Sequence, residues 1–296
     1  MEESVLTKYF LPLSLAIIMI GMGLGLVIED FKRIVLYPKA VFVGLMNQLI
    51  ILPIVAFLIA STFPLSPEHA VGLMILAVCP GGVTSNLITH LARGSVALSI
   101  TLTAFSSTIT LLTIPFLVNL SLSHFLSRSE IIQLPLLDTM GQIILITFIP
   151  VIIGMAIRKK YPAFARKAEG FVRKFSAFLL AAIVIAAIYE EKHQVVEMFT
   201  LVGPAALTLN LSMMAVGLAT GWFLLHDLRQ SVSISIETGI QNGTLGILIA
   251  ATLLQEPAMA IPPAIYSLIM FLVGFVAIYI FSRMVKKSEA ASLEPV

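Results

Sequence analysis

Charged residues divide this chain into long segments that hold none of them. Asp, Glu, Lys and Arg are absent from 9–28, 40–67, 70–92, 94–127, 139–157, 175–189, 198–226 and 257–282. Between Arg229 and Glu256, only Glu237 interrupts an apolar run. A helix needs about 20 residues to cross a hydrocarbon core of roughly 30 Å. The spacing therefore predicts nine spans, near 9–28, 39–61, 70–92, 95–119, 137–157, 172–189, 198–225, 229–252 and 259–283. The sixth is the shortest by charge and starts under Arg173 and Lys174, whose long stems carry their charges to the interface. Composition removes the alternatives. Apolar residues make up 58% of the chain and charged residues 11%, against about 25% charged in a soluble domain. Disorder requires low hydrophobicity and high charge. A net charge of +2, scattered along the chain, offers no nucleic-acid interface. The single Cys79 excludes a disulfide framework and a cysteine cluster. The expected fold class is an all-α polytopic membrane protein, a single membrane domain over 1–296 whose partner is the lipid bilayer.

Topology follows from the basic residues. With the N-terminus and the loops after spans 2, 4, 6 and 8 on one side, that side holds only Lys8, Arg128 and Lys192 of the 18 Lys and Arg. The opposite side takes the rest, seven of them between Arg158 and Lys174. Basic residues mark the cytoplasmic side, so the expectation is a multi-pass protein of the cell (inner or plasma) membrane, N-terminus outside and C-terminus cytoplasmic. Span 1 is too long for a typical signal-peptide core and is led by Glu2 and Glu3, so it reads as a helix.

Two spans are interrupted. Span 3 contains Cys79-Pro80-Gly81-Gly82-Val83-Thr84-Ser85-Asn86, and span 8 contains Glu237-Thr238-Gly239-Ile240-Gln241-Asn242-Gly243-Thr244. Pro removes a helical hydrogen bond and Gly permits non-helical backbone. The stretches 82–86 and 238–242 align, each ending in a polar residue and Asn. They are five spans apart, an odd number, so they cross in opposite directions, as inverted repeats with discontinuous helices do. Asn47-Gln48 in span 2 and Asn210 in span 7 echo each other more faintly. The bland reading, that Gly and Pro merely kink these helices, fits one such motif better than two placed symmetrically.

Glu237 alone among the 16 acidic residues lies near mid-span. An acidic residue there costs about 2.5–3.5 kcal/mol on insertion scales, and no basic residue lies in a span interior to pair with it. It is therefore protonated or bound to a cation. Ser85, Asn86, Gln48, Gln241, Ser99 and Thr103 supply neutral oxygens of the kind hard cations prefer. The opened turns at 80–83 and 238–240 add carbonyls, and the half-helix N-termini beyond them carry partial positive charge.

The segment 79–99, CPGGVTSNLITHLARGSVALS, with Glu-Thr-Gly-Ile-Gln-Asn at 237–242, resembles the bile acid:sodium symporter family. The resemblance is closest over 72–118 and 235–247 and extends along nearly the whole chain, in the manner of nine-span members. It implies inverted repeats arranged as a panel domain, here spans near 9–28, 137–157 and 172–189. It also implies a core domain, here spans near 39–61, 70–92, 95–119, 198–225, 229–252 and 259–283. It implies one sodium site at Ser85, Asn86, Ser99, Thr103 and Glu237. A second would use Gln48, Glu237 and Gln241 with carbonyls of Thr238 and Ile240. Substrate-binding positions fall at Val83, Thr84, Asn242 and Gly243, near the half-helix N-termini. The function expected is sodium-coupled import of a small organic anion by alternating access, with sodium as co-substrate and no cofactor. The last span offers little polarity beyond Tyr266, Ser267, Tyr279 and Ser282, so a small 2-oxo or hydroxy carboxylate is as compatible as a bile acid. A proton-coupled or efflux carrier of the same fold is the alternative.

Other features read more simply. Cys79 is a small buried hydrophobe before it is a soft ligand. The five histidines, at span ends or beside loops, show no metal-ligand spacing on a helix. Gly21 and Gly25 form a small-residue motif that suits helix packing within the chain or between copies. An intramembrane enzyme needs paired acids, a Ser/His pair or a His set, and none is present in the spans.

Overall fold

The computed structural model describes residues 11–25, 35–126, 149–168 and 195–291, with isolated positions between them. All regular structure among these residues is helical; the one β contact is an isolated bridge between Gly81 and Gln241. The helices are α1 (Leu11–Gly25), α2 (Pro38–Thr62), α3 (Pro67–Val78), α4 (Val83–Leu91), α5 (Val96–Phe125), α6 (Ile149–Lys160), α7 (Val195–Leu225), α8 (Leu228–Gly239), α9 (Gly243–Leu248, continued by a π turn Ile249–Leu253) and α10 (Pro257–Ala291). Among the described residues α2, α7 and α10 are single helices long and apolar enough to cross a membrane. The two halves of α5, bent by 61° between Thr110 and Leu112, make a fourth. The bend lies one turn before Pro115, where a proline ring clashes with the preceding turn. The expected sixth span, 172–189, lies outside the described residues, as does about half of the fifth, so a count of nine cannot be read from these helices.

The polarity of the fold is inverted relative to a water-soluble protein. Phe42, Ile50, Ile54 and Leu58 form an exposed stripe on α2, and Leu272, Phe275, Val276 and Tyr279 form another on α10. Asn47, Gln48, Ser99, Thr103, Asn210, Glu237 and Gln241 are buried. An exterior of this kind suits hydrocarbon, and the interior polar groups must then satisfy one another.

Proline and capping residues set the ends of the pieces that matter. Ser66 caps α3, its hydroxyl accepting from the His69 N–H, and Cys79, extended at ψ 154° because Pro80 follows it, ends the helix. Asp227 caps α8 and Asn242 caps α9 through their side chains. A close small-residue contact in α1 falls on Gly23, between the Gly21 and Gly25 of the motif. Gly23 lies against Val151 and Gly154 of α6, so the close approach is made within the chain. α3, α7, α8 and α10 share one apolar core, built around Leu73, Leu76, Leu209, Met213, Ile236 and Tyr266.

Candidate cation site at the crossing of two broken helices

α3 and α8 stop at the same place, and α4 and α9 start from it. The two interruptions, Cys79–Gly82 and Ile240–Asn242, run antiparallel and exchange two hydrogen bonds. Gly82 N–H donates to the Ile240 carbonyl at 3.2 Å, and Asn242 N–H donates to the Pro80 carbonyl at 2.9 Å. Matched at the N-caps of the helices that follow, the breaks pair Gly82 of α4 with Asn242 of α9. This differs by one helical turn from the alignment suggested by the shared Asn. Asn242 is a cap, whereas Asn86 lies inside the first turn of α4. The open turns accordingly fall at 79–82 and 240–242, slightly displaced from the expected 80–83 and 238–240.

Glu237, 1% exposed on the last turn of α8, points into a ring of hydroxyls. Ser85 Oγ lies 2.7 Å and Ser99 Oγ 3.0 Å from Oε2, and Thr103 Oγ1 lies 2.5 Å from Oε1. Two elements supply them: Ser85 comes from α4, and Ser99 and Thr103 stand one turn apart on α5. Space for the carboxylate is made by Gly81, where a Cβ would collide with Glu237 Oε1. The sequence reading credits the Gly-Gly pair with backbone freedom only. No rule of spacing announces that one glycine is needed for room.

Protons in this ring fall short of acceptors. Ser85 Oγ also lies 2.7 Å from the Gly82 carbonyl, Ser99 Oγ 2.8 Å from Asn86 Oδ1, and Thr103 Oγ1 3.0 Å from the Ser99 carbonyl. A hydroxyl has one proton, so each of the three faces two acceptors and satisfies one. Such an oxygen-rich, proton-poor pocket is chemically suited to a small hard cation. A proton added to the carboxylate would relieve the same imbalance.

The first expected set, Ser85, Asn86, Ser99, Thr103 and Glu237, is thus brought together. The second is assembled in part. Gln48 Nε2 donates to Gln241 Oε1 at 2.7 Å and to the Cys79 carbonyl at 3.2 Å. Gln241 Nε2 donates to the Thr238 carbonyl at 2.9 Å. The Ile240 carbonyl, however, already accepts from Gly82 N–H. Glu237 meets this set only with its main-chain carbonyl, 3.5 Å from Gln241 Nε2, while both carboxylate oxygens turn to the hydroxyls. Gln48 stands in a π turn, Asn47–Ile51, that sequence periodicity does not reveal.

Of the expected substrate positions, Val83 and Gly243 open the two half-helices, with half-buried Thr84 beside the first. Asn242 Oδ1 accepts from Leu245 N–H, and Gly243 packs so closely on Ser267 of α10 that a Cβ would not fit. Cys79 is fully buried, its thiol donating to the Ile75 carbonyl, as expected of a small hydrophobe. No cluster of His, Cys, Asp and Glu able to hold a transition metal occurs among the described residues.

Comparisons with known proteins bear on the family. The model of the Sodium Bile acid symporter family matches residues 12–198. The uncharacterized sodium-dependent transporter YocS of Bacillus subtilis is 32% identical over 283 residues, 96% of this chain and 86% of that protein. The probable sodium/metabolite cotransporter BASS1, chloroplastic, of Arabidopsis thaliana is 29% identical, over 92% of this chain and 67% of its own length. The ileal sodium/bile acid cotransporter of Oryctolagus cuniculus is 27% identical, over 94% and 79%. The chain belongs to the sodium bile acid symporter family, a family of membrane transporters and not of enzymes.

Proposed function

We propose that this chain is a symporter that couples sodium entry to import of an organic anion, a bile-acid-like molecule or a small 2-oxo or hydroxy carboxylate, by alternating access. The observation that carries the reading is the buried Glu237 carboxylate in a ring of three hydroxyls that face more acceptors than they have protons. Sodium at Ser85, Asn86, Ser99, Thr103 and Glu237 would supply the missing positive charge. A second ion at Gln48, Gln241, Thr238, Ile240 and Glu237 would share the Ile240 carbonyl, whose second lone pair is not used by Gly82 N–H, and needs the paired Gln48 and Gln241 amides to open. Sodium binding is thereby tied to the setting of both breaks. Those breaks aim the N-termini at Val83–Thr84 and Asn242–Gly243, where backbone N–H groups and helix dipoles favour an anion's carboxylate. Two ligands that order one element assist each other reciprocally. The nine-span topology, with a cytoplasmic C-terminus in the cell membrane and a panel moving against a core, completes the reading.

The test is thermal stability of the purified protein in detergent, titrated with sodium against potassium at matched ionic strength. A ligand that binds only the folded state stabilises it by about 2.7 kcal/mol at one hundred times its Kd. A sodium-specific rise that is lost in Glu237→Gln is the expected result. Equal curves in sodium and potassium, with a pH-dependent rise in their place, would overturn sodium coupling in favour of a proton on Glu237.

A further inference from the structure

The carbonyl that ends α8 is held by two side chains that touch none of the oxygens assigned to sodium. Gly239 is the last residue of α8, and its carbonyl accepts from Asn210 Nδ2 at 2.7 Å and from the Tyr266 hydroxyl at 2.9 Å. Asn210 Nδ2 also lies 3.1 Å from Tyr266 Oη, closing a triangle between α7, α8 and α10. Both side chains are fully buried. Helix-end carbonyls need partners from outside the helix, yet this one takes two, and at a cost. Asn210 Oδ1 is buried without a partner among the described residues, and an unsatisfied buried acceptor costs about 1–3 kcal/mol. A simple cap would not require such a sacrifice.

The triangle sets the direction of the backbone that follows. The Gly239 carbonyl turns toward α7 and α10, while the Thr238 carbonyl faces Gln241 Nε2 and the Ile240 carbonyl faces Gly82. Pinning the middle of three successive carbonyls limits how the peptide planes on either side can rotate. The first break has a matching device. Gln48 of α2, the helix before α3, donates to the Cys79 carbonyl where α3 ends. Asn210 of α7, the helix before α8, does the same where α8 ends. Thus each broken helix is held at its open end by a side-chain amide from the helix that precedes it in the chain. Gln48 also reaches Gln241; Asn210 makes no such contact and works only through Gly239, with Tyr266 as its second arm.

We infer that Asn210 and Tyr266 are positioning residues of the cation site: they lock the Gly239 carbonyl so that the Ile240–Asn242 turn presents its neighbouring carbonyls and Gln241 in the arrangement that binds sodium. This rests on the sodium reading of Glu237. Neither residue contacts the ion, so their removal weakens sodium binding through geometry alone.

Tyr266→Phe keeps the ring and deletes one donor; Asn210→Ala deletes the other. Sodium affinity is read from the stability titration, with potassium as reference. Tyr266→Phe is expected to weaken sodium binding by roughly tenfold, the size of one buried hydrogen bond. The double variant should weaken it by less than the product of the single effects, because both act on one carbonyl. A merely structural role would lower stability in sodium and potassium alike and leave the sodium-specific increment intact; that result in Tyr266→Phe overturns the inference. Should Asn210→Ala not fold, Tyr266→Phe decides alone. Absence of a sodium increment in the unmodified protein would defeat the sodium reading itself, an outcome distinct from an increment retained in the variant.

Discussion

The two breaks are made in different ways. At Cys79–Gly82 the opening is written into the covalent chain: Pro80 cannot donate, it forces Cys79 to extend, and Gly81 and Gly82 remove side chains from the contact. At Ile240–Asn242 no proline is present and Ile240 is β-branched. Here the opening is held by side-chain hydrogen bonds, tertiary ones from Asn210 and Tyr266 on one side and the local Asn242 cap on the other. The first break supplies half-helix hydroxyls and no charge; the second carries the carboxylate. A break imposed by backbone chemistry persists whatever is bound. One held by side chains can respond to a ligand, and it is the responsive break that carries Glu237.

Substitutions can break this contrast or sharpen it. The largest effect is expected from Glu237→Gln, which keeps the shape but removes the charge: the sodium-specific thermal shift and sodium-driven uptake should vanish together, and uptake retained in this variant would refute the coupling. Gly81→Ala comes next. Its Cβ must displace a carboxylate fixed by three hydroxyls, so a loss of about 1–3 kcal/mol is expected, as for overpacked cores, together with the sodium response. Gly239→Ala is its counterpart in the second break, but there the new Cβ meets the Met214 side chain, which is flexible and can yield. Its stability loss should be the smaller of the two when both are measured in potassium. Asn242→Ala removes the side-chain cap of α9 and should cost about 1 kcal/mol; the same measurement on a Gly82→Ala variant asks whether α4, whose cap offers no side chain, depends on its cap less. Smallest is Glu289→Gln. It breaks a half-exposed pair with Arg93 at 3.2 Å, worth less than ~1 kcal/mol at a surface, and should leave sodium affinity unchanged.

Much of the crossing is legible in the sequence, and for stated reasons. Pro80-Gly81-Gly82 announces a break because backbone chemistry is local. Glu237 announces a site because a carboxylate has no other place in an apolar span, and Ser85, Ser99 and Thr103 meet it in space. What escapes is what depends on distant partners. Asn210 reads as a faint echo of Asn47-Gln48 and Tyr266 as residual polarity in the last span. Only the packing of α7 and α10 on α8 shows that both close on Gly239. The correspondence of the two breaks escapes too, because two asparagines with different duties, a cap at Asn242 and an acceptor for Ser99 at Asn86, look alike in a string of letters. The π turns at Asn47–Ile51 and Ile249–Leu253 insert no residue type that would betray them.

The two-bond bridge between the breaks brings four helix ends to one point: two ends with partial negative charge, from α3 and α8, and two with partial positive charge, from α4 and α9. Opposed pairs of this kind form a quadrupole, whose field fades far faster with distance than that of a single dipole. The four helix ends can therefore favour a cation and an anion at close range while adding almost nothing of their own to the potential along the approaches, where the charge on Glu237 dominates. The helix ends would thus act only on an ion already in place, so attraction from afar falls to the carboxylate and discrimination to ångström-scale fit among the carbonyls and N–H groups.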